Sequence, residues 1–492
     1  MKQFRIVPAF LVALSLGLAA CSADSTGPAP AAPRAPALSA APGAGQYMVV
    51  FNGNKVPATF AAQVQALGGT MVFEHGNSGF AVVGGLDDAA AAKIKGMNGV
   101  SDVQADVAIT LDDPQPAAEM DVSELAAFAN DQAQSQTNPT TAARYAWQWN
   151  MRLIHAPTAW AAGKLGSSSI TVAILDSGLD YNIADLNGLV DLARSRSFIP
   201  TDDSIAVHYF PTRNLITDFN GHGTNVATQV SSKAFALAGV TSRTTLIGVK
   251  VLNRSGSGSL SAVLSGVLYA ADQGANVANM SLGSSFSKVA RGPVISIINR
   301  TFNYAHRKGM MIVVSAGNDA ADLDHNGNTF VSYCDAPHVV CVSSVGPEVV
   351  TANPDNSSYF TNFGRSAVTV AGPGGNADAA HGFTVSAWPW GNDIASWVWS
   401  YCPKDRIASV SATGVPTITA CAAGNRLSGV IGTSQASPHV AGLAALLMAE
   451  YGASDLGAIK DRITSTAIDL GPAGPDPFYG RGRIDVARAL GL

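Results

Sequence analysis

Charge is scarce in this chain. Asp, Glu, Lys and Arg make up 13% of its 492 residues, about half the usual share of roughly 25%. The balance is mild, 30 basic against 35 acidic residues. No basic run could track a phosphate backbone, so nucleic acid is excluded as a partner. Low charge beside 47% hydrophobic residues also excludes a disordered chain and implies a large Ala/Gly-rich core. Long apolar runs are missing too, with one exception. Ile6 to Ala20, preceded by Lys2 and Arg5, is too short to cross a bilayer comfortably and has the pattern of a signal peptide.

Cysteine is nearly absent, with five in all. Leu18-Ala19-Ala20-Cys21 resembles the lipobox of bacterial lipoproteins, which implies a lipidated Cys21 and a membrane attachment. A soluble secreted protein cut nearby is the alternative. Either way the chain is exported. The remaining Cys334, Cys341, Cys402 and Cys421 are an even set, which suggests disulfides in an exported protein. Neighbours pair most simply as Cys334 with Cys341 and Cys402 with Cys421; buried free thiols are the alternative.

After the signal segment (1–20), residues 21–45 are Pro/Ala/Ser-rich without a periodic apolar face and read as a tether. A small unit follows at 46–111. Its strand-like "QYMVVF", "GFAVVGGL" and "VSDVQADVAITL" bracket helical patterns around 57–67 and 87–97. Residues 112–144 are acidic, then Gln/Thr/Asn/Ala-rich, and read as an exposed connection. From 145 to 492 the pattern alternates. Short β-branched runs at 169–175, 244–252, 275–282, 309–316 and 338–345 are separated by helical patterns near 224–236, 258–273 and 292–308. Continuous apolar strands between helices predict an α/β fold, a doubly wound, mostly parallel sheet covered on both faces. In such a sheet the chemistry sits beyond the carboxyl ends of the strands.

Four polar residues fall at those ends. Asp176 leaves the first strand in "ILDSGLD". His222 opens a helix in "NGHGT". Asn318 follows the fourth strand in "SAGND". Ser434 starts a helix in "GTSQASPHVAG", where Pro438 fits only near a helix beginning. Each alone has a plain reading as a turn or capping residue. Together they carry nucleophilic chemistry. A serine hydroxyl needs a neighbouring base to attack an amide, and histidine can take that proton and return it to the leaving amine.

These four motifs, in the order Asp, His, Ser, resemble the signatures of the subtilisin-like serine proteases (subtilases, peptidase S8). The resemblance spans about 145–490. It implies a serine endopeptidase with Ser434 as nucleophile, His222 as general base, Asp176 as its orienting carboxylate and Asn318 as an oxyanion donor. It implies protein or peptide substrates, a monomer, and no cofactor for the chemistry. Gly256, Ser257 and Gly258, with Ser281, Leu282 and Gly283, resemble the two segments between which the family binds a peptide as an added strand. The unit at 46–111 resembles the propeptide that inhibits these enzymes and is then cut away by them.

The chain also departs from the family. Gln435 stands where methionine is usual and Asn225 where histidine is common. The region 372–430 is longer than usual and holds Trp388, Trp390, Trp397 and Trp399; it reads as a packed excursion, or else a lid. Asp185 matches an aspartate that binds calcium in many relatives, but the partner loop is not evident. Asp322, Asp324, Asn326 and Asn328 have the spacing of a calcium loop without its acidic twelfth residue, which is Tyr333. A solvated acidic turn is the favoured reading there, with structural calcium the other. Two rival functions follow. An esterase of the α/β-hydrolase type needs a histidine after the serine; the one present, His439, points about 140° away on the same helix, so that reading fails. A catalytically idle binding protein on the same fold is the second.

Overall fold

Strand Thr171–Asp176 explains the architecture in miniature. It is buried from end to end, and its side chains divide by parity. Val172 and Ile174 enter one apolar core and Ala173 and Leu175 another, as a period of two requires of a strand covered on both faces. The structure, a computed structural model, describes residues 45–111, 118–121, 134–283, 285–348, 352–377, 396–419, 421 and 426–492. The signal segment, Cys21, Trp388 and Trp390 lie outside the described residues.

Each of the five β-branched runs supplies one strand of a seven-stranded parallel sheet. In spatial order it reads Val370–Pro373, Val339–Val345, Met311–Ser315, Val277–Met280, Thr171–Asp176, Thr245–Lys250 and Arg196–Ser197. The two outermost strands have four and two residues, too short to leave a hydrophobic signature. Helices His222–Val230 and Thr433–Tyr451 fill the core on one face, and Leu260–Asp272 and Gly292–Arg307 that on the other. No helix among the described residues is long and apolar enough to cross a membrane.

The helical pattern at 224–236 overruns the observed helix, which stops at Val230. Buried Asp185 accounts for the difference. Its carboxylate accepts from the backbone N–H groups of Phe235, Ala236 and Leu237 at 2.7, 2.9 and 3.1 Å, which pulls the chain out of helical geometry.

The small unit is a four-stranded antiparallel sheet, Thr70–His75, Phe80–Gly84, Tyr47–Phe51 and Val100–Ala105 in spatial order, with two helices on one face. Thr70–His75 was not legible as a strand, because five of its six residues are exposed or half-buried in alternation without β-branched runs. Tyr47, Val49 and Phe51 join the unit's own core. Met48, Val50, Phe80 and Val82 join the core of the large sheet's helices. Polar contacts reinforce the docking. The Arg300 guanidinium donates to Phe51 O at 2.9 Å, and His75 Nε2 lies 2.8 Å from the Asp272 carboxylate. Buried Asp106 accepts from Ser261 N and Oγ at 3.0 and 2.6 Å, so the small unit satisfies N–H groups at the start of helix Leu260–Asp272.

Two disulfides join Cys334 to Cys341 and Cys402 to Cys421, the neighbour pairing. In the long region before Ser434, Trp397 and Trp399 are buried, with Trp147 5.3 Å from Trp399 between ring centres. That part is a packed excursion. The stretch read as an exposed connection contributes a strand, Ala118–Asp121.

Candidate active site

Asp176 ends its strand fully buried, and both carboxylate oxygens reach His222 Nδ1, at 2.8 and 2.9 Å. Burial pushes the carboxyl up, while the His222 ring and the Ser177 N–H pull it back down. His222 is the first residue of its helix, and the glycines around it have separate reasons. Gly221 takes φ +115°, a left-handed value that side chains disfavour. At Gly223 a Cβ would lie 2.2 Å from Gly178 O and 3.1 Å from Asp176 Cβ. A larger residue would push the helix off the aspartate.

Asp218, which the motif reading missed, fixes this turn. Its carboxylate accepts from Asn220 N, Gly221 N and Thr224 N at 2.8–2.9 Å, from Thr224 Oγ1 at 2.6 Å and from Ser177 Oγ at 3.0 Å. One carboxylate therefore ties the start of the histidine helix to the residue after Asp176. Its position four residues ahead of His222, in a run of turn formers, was the available signal.

Ser434 is the second residue of helix Thr433–Tyr451. Pro438 has no N–H to give the Ser434 carbonyl four residues earlier. Ser281 Oγ donates to that carbonyl instead, at 2.7 Å, and lies 2.8 Å from Ser437 Oγ. Ser434 Oγ in turn donates to the Ser281 carbonyl at 3.3 Å. Ser281, expected as a cleft residue, thus also clamps the serine helix. Asn318 Oδ1 accepts from both Thr433 N and Thr433 Oγ1 at 2.9 Å, so the structure brings Asn318 to the residue before Ser434. The helices that begin at His222 and Thr433 share one core through Val226, Val230, Val440 and Ala444.

Along the other expected segment, Ser257–Ser259 forms an antiparallel pair with Ala108–Thr110, the end of the small unit. Leu111 N donates to Gly256 O at 2.8 Å. Ile109 is buried in one core with Leu252, Leu260 and Leu282. Asn225, the departure from histidine, has a local partner: its Nδ2 donates to Val398 O at 3.4 Å. Gln229 Nε2 donates to Trp399 O at 3.0 Å. The His222 helix therefore presents amides to the tryptophan-bearing strand of the long excursion. Gln435 is fully buried.

His439 is held apart from this group. Its Nδ1 lies 2.7 Å from Gln435 O and its Nε2 2.8 Å from Asn150 Nδ2, so the ring is neutral, donating at Nδ1 and accepting at Nε2. Burial pushes its pKa down to about 4. A base lowered on folding adds stability above its ordinary value of 6.5, and that stability is lost as pH falls toward 4. Asp185 acts with the opposite sign, since burial lifts it to about 6 and folding therefore favours its protonated form. His439→Gln, melted with the active site inhibited, is expected to lose less stability than wild type between pH 6.5 and 4. The difference is at most about 3 kcal/mol, from roughly 2.5 pKa units; parallel melting curves would remove His439 from this balance.

The calcium candidates meet protein donors. Asp185 faces three N–H groups, as above. Asp322 accepts from Asp324 N at 3.0 Å and sits 2.8 Å from His325 Nδ1. Asp324 accepts from Ser366 N and Oγ, at 2.9 and 2.6 Å. Asn328 Oδ1 accepts from Val289 N at 2.7 Å, and Asn326 Oδ1 from Lys288 Nζ at 3.3 Å. Each of these side-chain oxygens thus already has a hydrogen-bond partner within the protein. Among the described residues no group of three or more His, Cys, Asp or Glu could hold a metal ion.

A parallel sheet with an Asp–His pair at its carboxyl edge and a serine at a neighbouring helix start defines a serine endopeptidase of the α/β class. The sequence model of the subtilase family matches residues 167–482, and the chain belongs to that family. It is 31% identical to thermitase from Thermoactinomyces vulgaris over 347 residues, 70% of this chain and 95% of that one. It is 28% identical to subtilisin DY from Bacillus licheniformis, over 69% of this chain and 97% of that one. The fold is similar to that of the epidermin leader peptide processing serine protease from Staphylococcus aureus, with a TM-score of 0.67 and 22% identity over 90% of this chain and 97% of the other.

Proposed function

We propose that this subtilase is an exported endopeptidase that cuts peptide bonds with Ser434, His222 and Asp176, and that residues 46–111 inhibit it until it cuts itself free. The observation that carries the reading is the extended segment Ala108–Leu111, paired as an added strand on Gly256–Ser259. A peptide held this way is bound by its backbone, so many sequences fit and side-chain pockets choose among them.

The chemistry follows from the site. Asp176 holds the Nδ1–H of His222, which leaves Nε2 as the lone-pair nitrogen. That nitrogen takes the Ser434 proton as Oγ attacks the scissile carbonyl carbon. The carbonyl oxygen becomes negative and needs fixed donors. Asn318, its Oδ1 committed to Thr433, offers its amide N–H, and the helix start offers the Ser434 N–H. His222 then protonates the leaving amine. Water attacks the acyl-enzyme by the reverse sequence, which restores Ser434. Neither a metal nor a cofactor has a step in it.

Export is supported by the apolar run behind Lys2 and Arg5 and by two disulfides, which persist in oxidising compartments. Lipidation at Cys21 would leave the protease on a membrane surface. The competing reading is an idle fold kept for binding. A fluorophosphonate probe should label the mature protein at Ser434 with parallel loss of casein hydrolysis, and Ser434→Ala should take no label. A folded wild-type protein that neither labels nor cuts casein would establish the idle reading.

A further inference from the structure

Beyond Leu111 the chain has a second anchor. Ala118–Asp121 pairs antiparallel with strand Arg426–Val430, which pairs on its other side with Val398–Tyr401. The register sets Ala118 opposite Gly429 and Asp121 opposite Arg426. The chain therefore meets this strand at the end nearest Ser434, four residues beyond Val430, and runs outward. Leu111, on the other side, is tied to Gly256. A peptide bond between these anchors would have its amine-side chain on the edge of Arg426–Val430.

That edge has a stated chemistry. Cys402 N donates to Arg426 O at 3.0 Å, so Arg426, Ser428 and Val430 turn their backbone groups toward Val398–Tyr401. By alternation, Leu427 and Gly429 turn theirs toward Ala118–Asp121. Met120, opposite Leu427, carries the ladder hydrogen bonds, and Glu119 does not. Charge is complementary as well. Asp112, Asp113, Glu119, Asp121 and Glu124 include no basic neighbour between them, and Asp121 meets Arg426 in the register, where opposite charges stabilise an antiparallel pair.

We infer that strand Arg426–Val430 is an exosite for extended acidic segments on the leaving-group side of the cut bond, and that residues 118–121 of the chain itself are its first occupant. The inference rests on the self-processing reading above. It assigns the long excursion before Ser434 a role, since Val398–Tyr401 backs the exosite strand with buried Trp399 under Gly429.

The test is the rate at which refolded full-length precursor processes itself. Met120→Pro removes a ladder donor and should slow processing at least tenfold. Glu119→Pro removes an N–H that points away from the ladder, and should slow it less than threefold. Arg426→Glu should slow processing about fivefold, and adding Asp121→Arg should restore it to within twofold. A short chromogenic peptide with nothing beyond its leaving group, given to the mature forms, should be cut equally by all. Equal processing rates for Met120→Pro and Glu119→Pro, or a charge swap as slow as Arg426→Glu alone, would overturn the exosite while short-peptide cleavage stays intact. Loss of short-peptide cleavage in wild type would instead overturn the proteolytic reading.

Discussion

Ser434→Ala is expected to accumulate as the full-length precursor, while wild type in the same host loses about 100 N-terminal residues, a size set by the small unit and its connection. The host should lack other extracellular proteases. On the proposed mechanism the variant removes the nucleophile and little else. Ser434 Oγ makes a long 3.3 Å hydrogen bond to Ser281 O, whereas the clamp from Ser281 Oγ holds the backbone carbonyl of residue 434 and survives the change. The fold should therefore persist with the small unit docked. On added peptides kcat should fall by about 10⁶, the scale known for loss of the subtilisin serine. Gel mobility and N-terminal sequencing of both proteins decide the matter. Equal mature sizes would show that another protease does the processing.

Asn318→Leu is expected to lower kcat by about 10²–10³, a figure adopted from the same role in subtilisin. KM should change little, because the ground-state carbonyl gains less from the donor than the oxyanion does. The structure adds a complication that can be checked. Asn318 Oδ1 accepts two hydrogen bonds from Thr433, so leucine also strips the residue next to Ser434 of an acceptor. Asn318→Asp separates the two effects: it keeps an acceptor for Thr433 and removes the donor. If catalysis needs the N–H, the aspartate variant is at least as slow as the leucine one. A fast aspartate variant would assign Asn318 to holding Thr433 alone.

Much of the fold was legible because burial on both faces forces strands into continuous β-branched runs, as in "TVAIL" and "MIVVS". Where that pressure is absent the signal fades. Arg196–Ser197 is too short, and Thr70–His75 lies at the edge of its sheet. Helix His222–Val230 ends early because Asp185, far away in sequence, gathers the N–H groups that follow. The four motif residues were readable since each sits at the boundary of an element. Asp218 and the Ser281 clamp were not, because their roles exist only after distant segments meet. The strand at 118–121 was hidden for another reason. Ala-Glu-Met-Asp has no strand propensity to speak of, and its pairing depends on an edge built some 300 residues later.

The pair of hydrogen bonds between Ser281 and Ser434 bears on manufacturing tolerance. In a machine, the positional error between two parts grows with the number of joints separating them. Here the Ser281 segment and the Ser434 hydroxyl belong to elements 153 residues apart, yet one joint connects them, made in both directions through the same two residues. Proline at 438 forces this by leaving a carbonyl that only an outside donor can satisfy. Drift elsewhere in the sheet then carries the Ser281 segment and the Ser434 hydroxyl together. Since a misplacement of about 1 Å can cost on the order of 10² in rate, a shared joint lets the rest of the chain vary while that gap stays fixed.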